Sequence, residues 1–175
     1  MMPMVSHSSA TESNDQPFQT RHGELASNAA RSSDALETIR DVIVARVNGD
    51  SDVDAFVQAT TPENETALGR ARWIDLLVVC AQLLDRWYSE SDSAGFLQSP
   101  GMDTTVFSPI FRSMTESAAD GAAEANLMGM LGERDVRAAA IDAVESLTTM
   151  LSGWAESTNQ SVSMLMVTAV PDSLA

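Results

Sequence analysis

The stretch from Trp73 to Tyr88 limits the fold more than any other part of the chain, because it is apolar around most of a helix. When each residue is turned by 100°, its apolar side chains cover an arc of roughly 200° or more. A surface helix needs an apolar stripe of only about 100°. We therefore expect this stretch to be the central helix of a bundle. We also expect the polar residues opposite the arc to form no pair. The residues on the arc are Trp73, Ile74, Leu76, Leu77, Cys80, Ala81, Leu83, Leu84, Trp87 and Tyr88.

The same stretch is too short to cross a membrane. Asp75, Gln82 and Asp85 interrupt it, and a spanning helix needs roughly 20 predominantly apolar residues. The first residues, Met1 to Ala10, show no basic segment followed by an apolar core, so no Sec-type signal peptide is visible. We expect a cytoplasmic protein without a membrane partner.

The net charge of the chain limits the classes of molecule that it is expected to bind. It has 25 acidic and 10 basic residues, a formal net charge of -15, and all of its basic residues are arginines. Proteins bind nucleic acids largely by neutralising phosphates with Lys and Arg. We therefore expect no direct binding to nucleic acid. The acidity is explained either by solubility or by attraction to a basic protein partner.

The composition changes along the chain in a way that predicts one domain. Residues 1–22 are rich in Ser, Thr and Asn without any period, which predicts a disordered tail. Residues 23–170 are predicted to form a single α-helical domain, and 171–175 its C-terminal end. The first amphipathic helix begins near Glu24, or at a cap formed by Ser33 or Asp34, and ends at Asn48-Gly49.

Start and stop signals predict the remaining helices. A brief helix is expected at 52–59, and Thr61-Pro62 should begin the central helix, which runs to about Tyr88. Ser108-Pro109 begins a short helix to Gly121, and residues 122–131 form either a second short helix or its continuation. A long amphipathic helix is predicted from Glu133 to Trp154.

Residues 160–170 fit a helix or a strand, and we favour a helix because no second strand is evident to pair with it. The predicted fold is thus all-α, a helical bundle of about four to six helices with mostly antiparallel neighbours and a disordered N-terminal tail.

The residue types of common enzyme and metal sites are sparse. Both histidines, His7 and His22, belong to the predicted tail. An ordered Ser-His-Asp, Cys-His or two-histidine site is therefore not expected. The single cysteine, Cys80, excludes an internal disulfide framework and lies on the apolar arc, so we expect a buried thiol. We predict no catalytic residue, metal ligand or cofactor site, and no enzyme.

Two groups of charged residues have features of ligand sites. Asp50, Asp52 and Asp54 match the first three ligand positions of an EF-hand loop, but the later glycine and glutamate positions hold Ala55 and Thr61. Arg70 and Arg72 could bind an anion, although pairing with the nearby Glu65 and Asp75 is favoured. Asp75 and Asp85 lie roughly 15 Å apart along one helix, too far to act as a carboxylate pair.

Tyr88 and Asp92 are separated by three residues, Ser89, Glu90 and Ser91. This spacing resembles the Y-x-x-x-D/E pattern that follows the second helix of a helical hairpin in actinobacterial type VII secretion substrates. The resemblance implies a hairpin and export, with Tyr88, Glu90 and Asp92 as partner-binding residues. The W-x-G turn common in that family is missing between Asn48 and Thr61.

The second half of the chain is rich in methionine, a flexible residue found in cores and at binding faces. We predict that Met164, Leu165 and Met166 form a docking segment for a protein partner or for a second copy of the chain. The leading hypothesis is a non-enzymatic helical protein-protein interaction protein, either an accessory or adaptor protein or an oligomeric one. The alternatives are an acidic inhibitor or immunity-type protein that blocks a basic, nucleic-acid-binding partner, and a type VII secretion substrate.

Overall fold

The computed structural model describes residues 16–49, 67–90, 97, 102–172 and 174. These residues form six α-helices and one 3-10 turn at Thr104–Val106, and no strand occurs among them. The predicted all-α bundle is therefore confirmed. In chain order the helices are α1 (Gln16–Val47), α2 (Ala67–Ser89), α3 (Pro109–Ala118), α4 (Ala123–Leu131), α5 (Val136–Ser157) and α6 (Val162–Ala169).

Helix α3 begins at the predicted signal. Ser108 accepts a hydrogen bond from the backbone N–H of Phe111 at 3.4 Å, and Pro109 occupies the first turn, where its missing N–H costs nothing. Gly121, at a φ of 70°, lies in the turn that separates α3 from α4. Residues 122–131 are therefore a separate helix rather than a continuation of α3.

Side chains also cap the last two helices. Asp135 accepts a hydrogen bond from the N–H of Ala138 at 3.0 Å and so begins α5. Ser161 accepts one from the N–H of Met164 at 3.2 Å and begins α6. Each cap satisfies an N–H group that would otherwise have no partner in the first turn. The helical alternative for residues 160–170 is thus the correct one.

The first two helices differ from the predicted boundaries at their starts. Helix α1 begins at Gln16, before the start expected near Glu24, and includes residues 16–22 of the predicted tail. It ends as predicted, because Gly49 adopts a positive φ of 95° and donates its N–H to the carbonyl of Arg46. The helix predicted at 52–59, the start at Thr61-Pro62 and the EF-hand-like segment lie outside the described residues.

Helix α2 is the centre of the bundle, as its broad apolar arc predicts. It packs against α1, α3, α4 and α5. Trp73 and Trp87, near its two ends, are 1% and 0% exposed. Leu97, in the segment after α2, is also buried, whereas its neighbour Phe96 lies outside the described residues. Burial of so many large side chains on one helix makes α2 the main source of hydrophobic stabilisation.

A polar residue of α2, Asp85, has partners on another helix. The carboxylate of Asp85 accepts hydrogen bonds from the backbone N–H groups of Ala123 at 2.8 Å and Glu124 at 3.0 Å. It therefore caps α4 from a neighbouring helix, since Ala122, which precedes α4, provides no side-chain cap. Such a cap contributes about 1 kcal/mol. The expectation that the polar residues of α2 form no pair is wrong.

Helices α2 and α5 run in the same direction. The guanidinium of Arg137, near the start of α5, lies 5.9 Å from the ring centroid of Trp73. Near the end of α5, the ring of Trp154 meets that of Trp87 edge to face, with centroids 5.6 Å apart. Because both early residues meet and both late residues meet, α5 is parallel to α2. The prediction of mostly antiparallel neighbours is therefore wrong for this pair.

Ion pairs join α1 to two other parts of the bundle. Arg31 pairs with Asp75 in the first half of α2, and Asp34, three residues later, pairs with Arg72, three residues earlier. Further along α1, Arg40 pairs with Asp172. Asp172 follows α6, in which the Ala169 carbonyl accepts the indole N–H of Trp87 at 2.8 Å.

Candidate functional site

The predicted site after α2 is only partly within the described residues. Tyr88 is half-buried, and this burial raises the pKa of its hydroxyl above the ordinary 10.0. Glu90 is exposed and accepts a hydrogen bond from Arg86, four residues earlier, at 2.9 Å. Asp92 lies outside the described residues. The described part of this segment therefore offers a binding partner the half-buried ring of Tyr88 and the carboxylate of Glu90, which is already paired with Arg86.

The predicted docking segment in α6 divides between the core and the surface. Leu165 and Met166 are 4% and 7% exposed and pack in the core, so they offer no surface to a partner. Met164 is 66% exposed, and Val167, one turn later, is 75% exposed. The exposed side of α6 is therefore formed by Met164 and Val167, not by Met164, Leu165 and Met166.

Two further apolar side chains are exposed at the end of α1. Val44 and Val47 are each 46% exposed. They follow Arg40 by four and seven residues, so all three lie on one side of the helix. We refer to Met164 and Val167, the exposed pair of α6, as the end surface.

Helix α1 packs against α6, and Arg40 pairs with Asp172 just beyond α6. Further along α1, Arg46 pairs with Glu145, in the middle of α5. The end of α1 therefore lies against the middle of α5.

No family model, curated protein or solved structure matches this chain. Any functional argument therefore depends on the chain's own residues. Over the described ranges, no group of three or more His, Cys, Asp or Glu side chains could hold a metal ion. No helix within those ranges is long and apolar enough to cross a membrane.

Exposed carboxylates occur on α1 and α5. Two arginines of α1 are engaged, Arg40 with Asp172 and Arg46 with Glu145 at 2.9 Å. Three more carboxylates on α1 and α5 are exposed, and the described part of the chain gives them no ion pair. They are Glu37, Asp41 and Glu156.

A reciprocal pair of ion pairs joins α1 to α2. Arg31 binds both carboxylate oxygens of Asp75, at 2.7 and 3.0 Å, and Arg72 binds Asp34 at 3.0 Å. The expected local pair between Arg72 and Asp75 on α2 is therefore not formed. Both arginines are more than a third exposed, so each pair contributes at most about 1 kcal/mol. They fix the position of α1 against α2, and they engage Arg72 of the predicted anion-binding pair.

An open groove lies where α3 and α5 begin. Its volume is about 260 Å³, and Pro109, Ile110, Ala138 and Ala139 form its apolar part. The carboxylate of Asp135, at its edge, is already used to cap α5. Arg134 and Asp142 also line the groove, so its wall is part apolar and part charged.

Cys80 is fully buried, as expected from its place on the apolar arc. Burial raises the pKa of its thiol from 9.0 to about 12. The thiolate is the reactive form, and it is almost absent from the folded protein at neutral pH. Cys80 is therefore a packing residue.

This burial predicts the reactivity of Cys80. At pH 8 a thiol reagent such as DTNB should label the folded protein only as fast as it unfolds, and should label it fully in urea. The unfolded thiol ionises above pH 9.0, whereas the folded one stays protonated to about 12, so the free energy of unfolding should fall between these values.

Cys80→Ala is the control for both measurements. It should take no label, and its stability should fall less steeply over the same alkaline range. The remaining slope includes Tyr88, whose raised pKa acts in the same direction. Immediate labelling of the native protein would show that Cys80 is accessible and would contradict the packing of α2.

Proposed function

We propose that this chain is a non-enzymatic helical protein that acts by binding a protein partner through the end surface. The observation that supports the proposal is the exposure of Met164 and Val167, at 66% and 75%, on a helix whose opposite side is packed in the core. Isolated exposed apolar residues are normal in a soluble protein. Here, however, Met164 and Val167 are three residues apart, so they are neighbours on one side of a helix.

The cost of leaving this surface in water supports the same proposal. Each square ångström of apolar area removed from water contributes roughly 25 cal/mol. A partner that covers Met164 and Val167 would gain this energy. The side chains already stand on helices that are fixed by core packing, so they need little ordering on binding.

Photo-crosslinking tests the proposal with a matched control. A photoreactive amino acid is placed at Val167 or at Val106, two valines that are 75% and 60% exposed in different parts of the fold. The full chain is then irradiated in an extract of the cells that produce it. We expect a discrete crosslinked protein from position 167, none from position 106, and loss of the product when Met164→Ser is added.

The mass of the crosslinked product distinguishes the kinds of partner. A product of twice the chain mass means a second copy, and any other discrete mass means a different protein. Equal products from positions 106 and 167, or no product from position 167, would refute the end surface as a binding site.

A further inference from the structure

We propose that Asn48, at the end of α1, is a site of spontaneous deamidation, which replaces its side-chain amide by a carboxylate. Asn48 is followed by Gly49, and it is the only asparagine of the chain that a glycine follows. In this reaction the backbone nitrogen of the next residue attacks the side-chain carbonyl carbon of the asparagine. Glycine favours the attack because it has no side chain to obstruct the approach.

The reaction needs only water. A bond forms between the backbone nitrogen of Gly49 and Cγ of Asn48, and the bond from Cγ to Nδ2 breaks. Nδ2 leaves as ammonia with the proton that the backbone nitrogen gives up, and a succinimide ring remains. Water then opens this ring at either of its carbonyl groups. One opening gives aspartate, and the other gives isoaspartate, which adds a methylene group to the main chain.

The structure leaves both reacting residues accessible. Asn48 and Gly49 follow Val47, the last residue of α1, and both are exposed. Apart from its chain neighbours, no described residue has an atom within 4 Å of the point where a Cβ of Gly49 would stand. The attacking N–H of Gly49 donates to the Arg46 carbonyl at 3.1 Å, in the last turn of the helix. Because helix ends fray, this turn opens readily and releases the nitrogen.

Two other asparagines with described side chains lack part of this arrangement. Asn126 is exposed but lies within α4, and Leu127 follows it. Asn159 is exposed in the turn after α5 and has a positive φ of 55°. It is followed by Gln160, whose N–H donates to the Ala155 carbonyl at 2.9 Å. They therefore serve as internal controls, one within a helix and one in a turn.

Deamidation would loosen the end of α1. A carboxylate at position 48 would stand at the negative end of the helix dipole, where an anion is unfavourable. Arg46, the basic residue of the last turn, is already paired with Glu145. The additional methylene group of isoaspartate would also displace the N–H of Gly49 from the Arg46 carbonyl that it now contacts.

Incubation of the purified full-length protein at pH 8 tests the site. Peptide mapping by mass spectrometry follows the mass increase at each asparagine, and protein isoaspartyl methyltransferase labels the isoaspartate product. We expect modified Asn48 to accumulate while Asn126 and Asn159 remain unmodified. The rate in the folded protein should lie within about tenfold of the rate in urea, because a frayed helix end opens at little cost.

Three variants identify the chemistry and its effect. A glutamine side chain must close a larger ring, so Asn48→Gln should abolish the modification at this position. Gly49→Ala places a methyl group beside the attacking nitrogen and should slow the modification severalfold. Asn48→Asp reproduces the aspartate product. It should unfold at a lower urea concentration than the original protein, with faster amide hydrogen exchange in the last turn of α1 and unchanged exchange in α3.

The opposite results would overturn the proposal. If Asn48 is modified in urea but not in the folded protein, the end of α1 protects it. Equal rates in Gly49→Ala and the original protein, or earlier modification of Asn126 or Asn159, would show that the pair with glycine does not determine the site. Unchanged hydrogen exchange in Asn48→Asp would contradict the loosening of α1. All these measurements are independent of a protein partner, so they stand or fall separately from the crosslinking at position 167.

Discussion

Trp87→Ala is expected to lower the free energy of unfolding by about 3–5 kcal/mol, the range for removing a large buried aromatic side chain. Trp87 is 0% exposed and meets Trp154 edge to face at 5.6 Å. Its indole N–H also donates to the Ala169 carbonyl at 2.8 Å. The substitution leaves a cavity between α2 and α5 and a buried carbonyl at the end of α6 without its donor. Urea denaturation followed by circular dichroism measures the change.

Trp87→Phe is the informative companion to this variant. It keeps an aromatic ring against Trp154 but removes the donor to Ala169, so it should cost less than the alanine variant and still about 1–3 kcal/mol. Ala169 is the last residue of α6, so loss of this hydrogen bond should increase amide hydrogen exchange in α6 more than in α3. A Trp87→Ala protein that unfolds at the same urea concentration as the original would mean that α2 is not the centre of the core.

The bundle and most of its helix boundaries are predictable because they depend on local signals. The arc from Trp73 to Tyr88 is a property of one helix and requires no knowledge of its neighbours. The start at Ser108-Pro109 and the stop at Asn48-Gly49 likewise depend on a few adjacent residues. Helix α6 was less certain because its short apolar segment fits two periods, and the Ser161 cap decides in favour of helix.

The direction of the helices is not predictable from the same signals. Between α1 and α2 there are residues 48–66, a connection long enough for either a parallel or an antiparallel arrangement. The pair between Arg31 and Asp75 depends on that choice, so the sequence suggested only pairs within α2. Asp85 was expected to form no pair for the same reason, since the N–H groups it caps belong to α4.

The candidate site was predicted only in part. The sequence indicated an apolar segment around Met164, but the side of α6 that faces the core depends on its contacts with α1 and α5. Leu165 and Met166 face inward, whereas Val167 faces outward. The helical period would have grouped Met164 with Val167, three residues apart, once the segment was taken as a helix.

Trp73→Ala should destabilise the protein as much as Trp87→Ala, by about 3–5 kcal/mol. Trp73 is 1% exposed, and the guanidinium of Arg137 lies 5.9 Å from its ring centroid. The loss would therefore include the cavity in the first half of α2 and a cation–π contact of about 0.5–2 kcal/mol. The same urea titration measures it. Unfolding of Trp73→Ala at the original urea concentration would contradict its place in the core.

The phenylalanine variants should separate the two tryptophans. The indole N–H of Trp73 is buried and has no hydrogen-bond acceptor among the described residues, whereas that of Trp87 has one. A buried donor without a partner costs about 1–3 kcal/mol, so Trp73→Phe removes a penalty that partly offsets the smaller ring. Trp87→Phe removes a hydrogen bond as well as ring volume. We therefore expect Trp73→Phe to be more stable than Trp87→Phe, although the two alanine variants are alike. The reverse order would mean that the N–H of Trp73 does have an acceptor in solution, and that α2 is held at its start by a polar contact as well as by apolar packing.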